Sequence, residues 1–262
     1  MTQPFVTTTI RGTLYDYPKY YDLVFGVGSS AECDGCFDRH ADRRVRRLFE
    51  PACGSGRLFV KFADRGFQVF GYDLNRASVD YCNDRFKRRG LPRSAIFGDI
   101  VEVSLPSKVD AAFNMISSFQ LLPTERAAEN HLRSMAANVA KGGVYILGLH
   151  LKPSRGAPIH SERWAATRGR LSVVSRIWTK QTHSRQREVL CGMISDIRTP
   201  RAFVRIIAEL RFRTYSASQI QRLFDKVDEF QPVATYDFTY DLMNPISVGP
   251  ETPDVVYVLH RR

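Results

Sequence analysis

Between Arg47 and His150, short apolar runs alternate with longer stretches of helical period, the pattern of a parallel sheet joined by crossover helices. Strands are expected at 47–51, 68–73, 95–98, 111–116 and 143–150. Helices are expected at 57–65, 76–89 and 124–140, the last closed by Gly142 and Gly143. Beyond residue 150 the period shortens to alternation, predicting antiparallel strands at 171–179, 187–198 and 208–214. A helix from Ser216 through Ile220, Leu223 and Phe224 and two strands, 232–240 and 254–260, then complete the first sheet. Ahead of it all stands Tyr15-Asp16-Tyr17-Pro18-Lys19-Tyr20-Tyr21-Asp22, followed by a helix from Ser30, where Ser29 and Glu32 have capping-box spacing. The expected architecture is a doubly wound, Rossmann-like α/β core (43–155 and 215–262), an N-terminal helical cap (1–42) and an inserted antiparallel β subdomain (156–214) forming a lid.

Composition adds limits rather than direction. The chain of 262 residues, 44% hydrophobic, can bury one sizeable core. The polar stretch 1–18 contains no apolar run of the kind a secretory signal needs, and no later run approaches membrane-spanning length, so a cytoplasmic location is expected. Five cysteines, Cys33, Cys36, Cys53, Cys82 and Cys191, are an odd number and read as reduced thiols. Cys33-x-x-Cys36 with His40 nearby lacks the fourth ligand of a structural zinc site, and no metal is expected. The formal charge of +11 comes from 30 Arg and 8 Lys against 27 acids. Its clusters, Arg43, Arg44, Arg46, Arg47 and Arg85, Lys87, Arg88, Arg89, lack interleaved aromatics, so a nucleic-acid surface is the lesser expectation.

The chemistry lies in Glu50-Pro51-Ala52-Cys53-Gly54-Ser55-Gly56-Arg57, between the first strand and first helix of the core, at the strand ends where such folds bind ligands. Gly54 and Gly56 allow a tight turn and close approach to the helix N-terminal amides. A dinucleotide fingerprint needs a third small residue where this chain has Phe59. Glu50 repels a diphosphate but suits a sulfonium carrying an α-amino group. Asp73, 23 residues after Glu50, ends the second strand, where its two oxygens match a ribose diol. Asp99 ends the third and reaches toward an adenine amine, with Leu74 and Ile100 sandwiching the ring and Met115 on the opposite wall. Arg57 is a candidate for a ligand carboxylate.

This constellation resembles the class I S-adenosylmethionine (SAM)-dependent methyltransferases. Glu50 to Gly56, with Ala52 within it, is similar to their first motif, Asp73 to the ribose acid, Gly98-Asp99 to the adenine contact and 110–120 to the fourth motif. The resemblance implies SAM as cofactor and a seven-stranded sheet in the order 3-2-1-4-5-7-6 with the last strand antiparallel. It covers residues 15–150 well and the final helix and hairpin in outline.

Methyl transfer from a sulfonium is an in-line displacement, so alignment and exclusion of water come first and a base serves only a protonated nucleophile. Asn114-Met115-Ile116-Ser117-Ser118-Phe119 stands where base-directed N-methyltransferases carry an Asn/Asp-Pro-Pro-aromatic signature, which argues against that class. His150, after the fifth strand, is the candidate base. Tyr15, Tyr20 and Tyr21 resemble the entry segments of small-molecule methyltransferases, and Arg163 and Trp164, ahead of the inserted strands, are lid candidates. The reading is methyl transfer to a nitrogen or oxygen of a small molecule. Its alternatives are an RNA methyltransferase using the Arg-rich surface and a non-catalytic SAM-binding module.

Overall fold

The computed structural model describes residues 5–26, 39–40, 45–115, 117–155 and 161–262. The chain opens with β1 (Val6–Arg11), turns through a 3-10 segment (Leu14–Asp16) and enters α1 (Pro18–Phe25) with Pro18 at its first position. The core then runs β2 (Arg47–Pro51), α2 (Phe59–Asp64), β3 (Gln68–Asp73), α3 (Arg76–Lys87), β4 (Ala95–Phe97), β5 (Val109–Asn114), α4 (Glu125–Asn138) and β6 (Val139–His150). Four long strands follow, β7 (Ser161–Arg168), β8 (Leu171–His183), β9 (Glu188–Arg198) and β10 (Ala202–Arg213). The chain closes with α5 (Ala217–Lys226), β11 (Phe230–Tyr236) and β12 (Asp254–Arg261).

Seven strands form one sheet in the order β4-β3-β2-β5-β6-β12-β11. Numbered from β2 in chain order this is 3-2-1-4-5-7-6. β2 to β6 pair in parallel, and β12 runs antiparallel to β6. Both faces of its centre are covered. Leu48, Val69, Ala111 and Ile146 pack toward α2 and α3, while Phe49, Ala112, Tyr145 and Leu147 pack with residues of α4 and α5. Coverage on both sides is why these strands read as continuous apolar runs.

The other sheet has the order β1-β10-β9-β8-β7. Its ladders are antiparallel except that β1 joins β10 in parallel. The inner face, with Val173, Ile177, Met193, Ile197 and Ile206, packs on Leu14, Leu23, Val24 and Phe25. Helix α1 therefore sits between the second sheet and α3, to which Asp22 is joined by Arg85. Among the described residues no helix is long and apolar enough to cross a membrane.

Several boundaries differ from expectation for local reasons. The helix predicted over 124–140 ends at Asn138 and β6 begins at once, so Gly142 and Gly143 lie inside a strand rather than after a helix. Between the pairs Val109–Val139 and Ala111–Val144 the ladder is irregular; Gly142 there has φ +76, and a Cβ on Gly143 would meet Asp110 O at 2.4 Å. Helix α2 starts at Phe59, two residues late, because Gly54 and Gly56 hold positive φ in the preceding turns. The fourth strand lies at 109–114 instead of 111–116, and β10 begins six residues earlier than expected. Strand β1 was not announced by any alternation in its polar sequence. Arg163 and Trp164 do not precede the strands of this sheet but lie within β7. The helix expected from Ser30, with Cys33, Cys36, Arg43 and Arg44, lies outside the described residues.

Candidate active site

At the carboxyl edge of β2 the backbone turns sharply: Ala52, Gly54 and Gly56 all take left-handed φ, at 58, 53 and 73°. Gly56 is required by space as well, since a Cβ would sit 2.5 Å from Cys82 Sγ. The loop is tied to β3 by Asp73, whose Oδ2 accepts from Gly54 N at 2.7 Å and Oδ1 from Asn75 N at 2.8 Å. A carboxylate offers about four acceptor positions, so each oxygen keeps one for a ligand. Burial raises the Asp73 pKa, and these two amides oppose the rise. The helix cap is its neighbour Asn75, which accepts from Ser78 N.

Three adjoining cavities lie at this edge, the first of them lined by the Asp73 carboxylate. The first, about 390 Å³, is lined by Ala52, Gly54, Asp73, Leu74, Asp99 and Ile100 together with Tyr15 and Tyr21. Ile100 is buried, whereas Leu74 and Asp99 stay exposed. Ile100 is fixed from behind by His131, whose Nδ1 donates to Ile100 O at 2.7 Å while Nε2 accepts from Tyr145 Oη at 2.8 Å. A carbonyl only accepts, so this pairing selects the Nδ1–H tautomer; burial lowers the His131 pKa to about 4.

The second cavity, about 50 Å³, is lined by Glu50, Ala52, Gly54, Arg57, Asn114 and Met115, with Tyr21 and Ser118 on its other wall. Asn114 Nδ2 donates to Pro51 O at 3.0 Å, and its buried Oδ1 has no partner among the described residues. Such an acceptor suits an amino group beside Glu50. The residue types here fit the amino-acid end of SAM.

The third cavity, about 370 Å³, lies between the two sheets and shares Tyr15, Tyr21 and Ser118 with its neighbours. Leu14 and Phe25 line it from the N-terminal segment and Ile177, Met193 and Phe212 from the second sheet. Trp164 lines it too, 5.1 Å ring to ring from Phe25, while exposed Arg163 does not. His150 stands at its polar end, its backbone N donating to Gln120 Oε1 and its Nδ1 bonded to Asp254 of β12. Phe238 packs edge-on against that imidazole.

The N-terminal segment roofs the first cavity by specific bonds. Asn75 Nδ2 donates to Asp16 Oδ1 at 2.7 Å, Ser78 Oγ to Tyr15 O at 3.0 Å, and Arg85 bridges Asp22 Oδ1 (2.6 Å) and Ser55 O (2.9 Å). Enclosure pushes the Tyr15 phenol up to about 12, with the Asp73 charge adding to it, and raises Tyr21 further. Tyr15 and Tyr21 face the cavities and pack 5.3 Å apart. Tyr20 instead stacks on Tyr17 and joins the second sheet's core. Gly56 lines none of the three and serves the approach of the loop to α3. Among the described residues no three His, Cys, Asp or Glu side chains converge as a metal site, and His40 bonds to Tyr236 Oη at 2.8 Å.

Sequence reasoning missed Asn114, Ser117, Ser118 and Asp254 as site residues. Asn114 carries a signal, standing directly after the apolar run Ala111-Ala112-Phe113 in a wholly buried strand, where an amide is costly to bury. Asp254 carries none, because it meets His150 across 104 residues.

Residues 49–143 match the family model described as a methyltransferase domain. A ubiquinone biosynthesis O-methyltransferase of Chromobacterium violaceum is 26% identical over 106 residues, 40% of this chain and 45% of that protein, so the match spans less than half of the curated relative. A SAM-dependent methyltransferase structure from Clostridium acetobutylicum aligns at TM-score 0.73 and 14% identity, over 94% of this chain and 97% of that one. An amino pentose methyltransferase from Micromonospora echinaspora aligns at 0.68 and 18%, over 92% and 95%. At these identities the structural likeness is one of fold, over nearly the whole of each chain. The domain match covers the glycine loop and its carboxylates, Glu50, Asp73 and Asp99, and the chain as a whole shares the fold of these SAM-dependent methyltransferases.

Proposed function

We propose that the protein transfers a methyl group from SAM to a nucleophilic nitrogen or oxygen of a small molecule held between the two sheets. The observation that carries this is the sharing of Tyr21 and Ser118 by all three cavities, which joins the cofactor side to a cavity of about 370 Å³. Bound SAM supplies a methyl carbon made electrophilic by its sulfonium. Asp73 holds the ribose diol, Asp99 meets the adenine amine, and Leu74 and Ile100 flank the ring. Glu50, Asn114 and Arg57 take the amino-acid end over Ala52 and Gly54, with Met115 as a wall. Tyr15 and Tyr21 close the site against water, which a displacement at carbon requires. His150, oriented by Asp254, takes a proton from the acceptor. We read 43–155 with 215–262 as the catalytic core and the inserted 156–214, with the N-terminal segment, as the lid that encloses the acceptor.

Calorimetry tests the cofactor half. SAM and S-adenosylhomocysteine are expected to bind, and Asp73→Ala to weaken both by tenfold or more. Binding of NADH without binding of SAM overturns the reading.

A further inference from the structure

The acceptor cavity has an uneven chemistry. Its second-sheet wall is Ile177, Met193, Leu210 and Phe212, extended by Phe25 and Trp164, and the exposed Glu162 of β7 is the acidic residue of that lining. Polar groups gather at the opposite end, around Ser117, Ser118 and His150. Ser117 follows β5 with φ 55°, a left-handed conformation that costs a non-glycine residue backbone strain. Its amide donates to Gly148 O at 3.3 Å, so the end of β5 is held beside the strand that carries His150. The Ser117 Oγ is buried, the residue being 8% exposed, and has no hydrogen-bond partner among the described residues. A strained residue with a buried unpaired hydroxyl in a ligand cavity is built to meet a ligand polar group. With Nδ1 of His150 committed to Asp254, Nε2 is the nitrogen left for that same group.

Resting on the methyltransferase reading above, we infer that the acceptor is an apolar ring bearing an acidic hydroxyl, a phenol, rather than an amino sugar. A sugar would press several hydroxyls against Ile177, Met193, Leu210 and Phe212, and each hydroxyl left without a partner there costs free energy. An ammonium, which Glu162 could pair, has no lone pair to offer the methyl carbon until it sheds a proton, whereas a phenol oxygen keeps a lone pair in either protonation state. A phenol, with a pKa of about 10, releases its proton to an imidazole far more readily than an aliphatic hydroxyl does. In the step, the phenol oxygen bonds to the methyl carbon as the carbon–sulfur bond breaks, its electron pair staying on sulfur. The hydroxyl proton passes to His150 Nε2 and then to water. Ser117 Oγ holds the hydroxyl oxygen and fixes its direction of attack.

The test begins by titrating S-adenosylhomocysteine into the protein; failure to bind overturns the methyltransferase reading and this inference with it. The loaded protein is then titrated with 2-naphthol, naphthalene and D-glucosamine, and radiolabelled SAM is used to follow transfer to each. 2-Naphthol is expected to bind at least tenfold tighter than glucosamine and to receive the label. Ser117→Ala should weaken 2-naphthol severalfold and leave naphthalene unchanged, while His150→Gln should keep 2-naphthol binding and lose at least a hundredfold in transfer. Labelled glucosamine with inert 2-naphthol, or 2-naphthol binding no tighter than glucosamine, overturns the phenol assignment while leaving the methyltransferase standing.

Discussion

Gly54 and Gly56 share a left-handed backbone but not their surroundings. A Cβ on Gly54 would find its nearest atoms, from Asp73 and Tyr21, at 4.0 Å, whereas on Gly56 it would meet Cys82 Sγ at 2.5 Å. Left-handed φ alone costs about 1–2 kcal/mol, and overpacking adds about 1–3. Thermal unfolding should therefore rank Gly56→Ala well below Gly54→Ala, while calorimetry should reverse the order of harm for SAM affinity. His131 offers a second check at this scale. Its folded pKa of about 4 lies below the unfolded value of about 6.5, so the unfolded chain binds the extra proton between those limits. Stability is full above about pH 6.5 and falls on acidification toward pH 4, by on the order of 3 kcal/mol, and His131→Gln should flatten that slope in denaturant titrations. Residues such as Gly54, Glu50 and Asp73 were legible because each answers a need of backbone or charge visible in its own neighbourhood. Ser117 was not, since neither its φ nor its lack of a partner is written in adjacent residues.

The roof over the cofactor cavity rests on helix α1 meeting α3. The Arg85–Asp22 pair carries that contact with side chains only 15% and 11% exposed. Removing one member of a buried pair strands the other's charge, at about 3 kcal/mol or more. Arg85→Ala is expected to lower stability by about that amount and to raise the rate of SAM dissociation, measurable by stopped-flow; a faster unfolding rate with unchanged cofactor release would refute the roofing role. Legibility at the level of elements follows the same physics. Strands β2 and β3 and helix α5 matched expectation because burial pattern and caps are local, Ser216 forming a capping box with Gln219. Strand β1 escaped because Thr7, Thr8 and Thr9 are exposed and owe their conformation to pairing with β10, almost 200 residues away. Glycines 142 and 143 misled because a bulge and a helix stop draw on the same residue type.

The whole molecule carries a formal charge of +11, and its partner is the remaining question at that scale. Within the cluster at the end of α3, Arg85 turns inward to Asp22 and Arg89 turns to Asp64, so two of its four cations have acidic neighbours. On the second sheet Arg205 pairs with Asp196 and Arg211 with Glu188, and Arg187 and Arg213 share Glu125 with Lys226. These cations are engaged in ion pairs within the fold, which takes them out of any stripe that would track phosphates. The Glu125 cluster also braces the second sheet against α4 and α5. An RNA-directed enzyme making six to ten phosphate contacts would lose about 10³–10⁵ in affinity between 50 and 200 mM salt. For this protein, kcat/KM toward a neutral acceptor is expected to change by less than about twofold over that range, and fluorescence anisotropy with labelled RNA should show only the weak, sequence-independent binding of a basic surface. Tight RNA binding that collapses with salt, together with methylated RNA, would place the acceptor outside the cavity between the sheets.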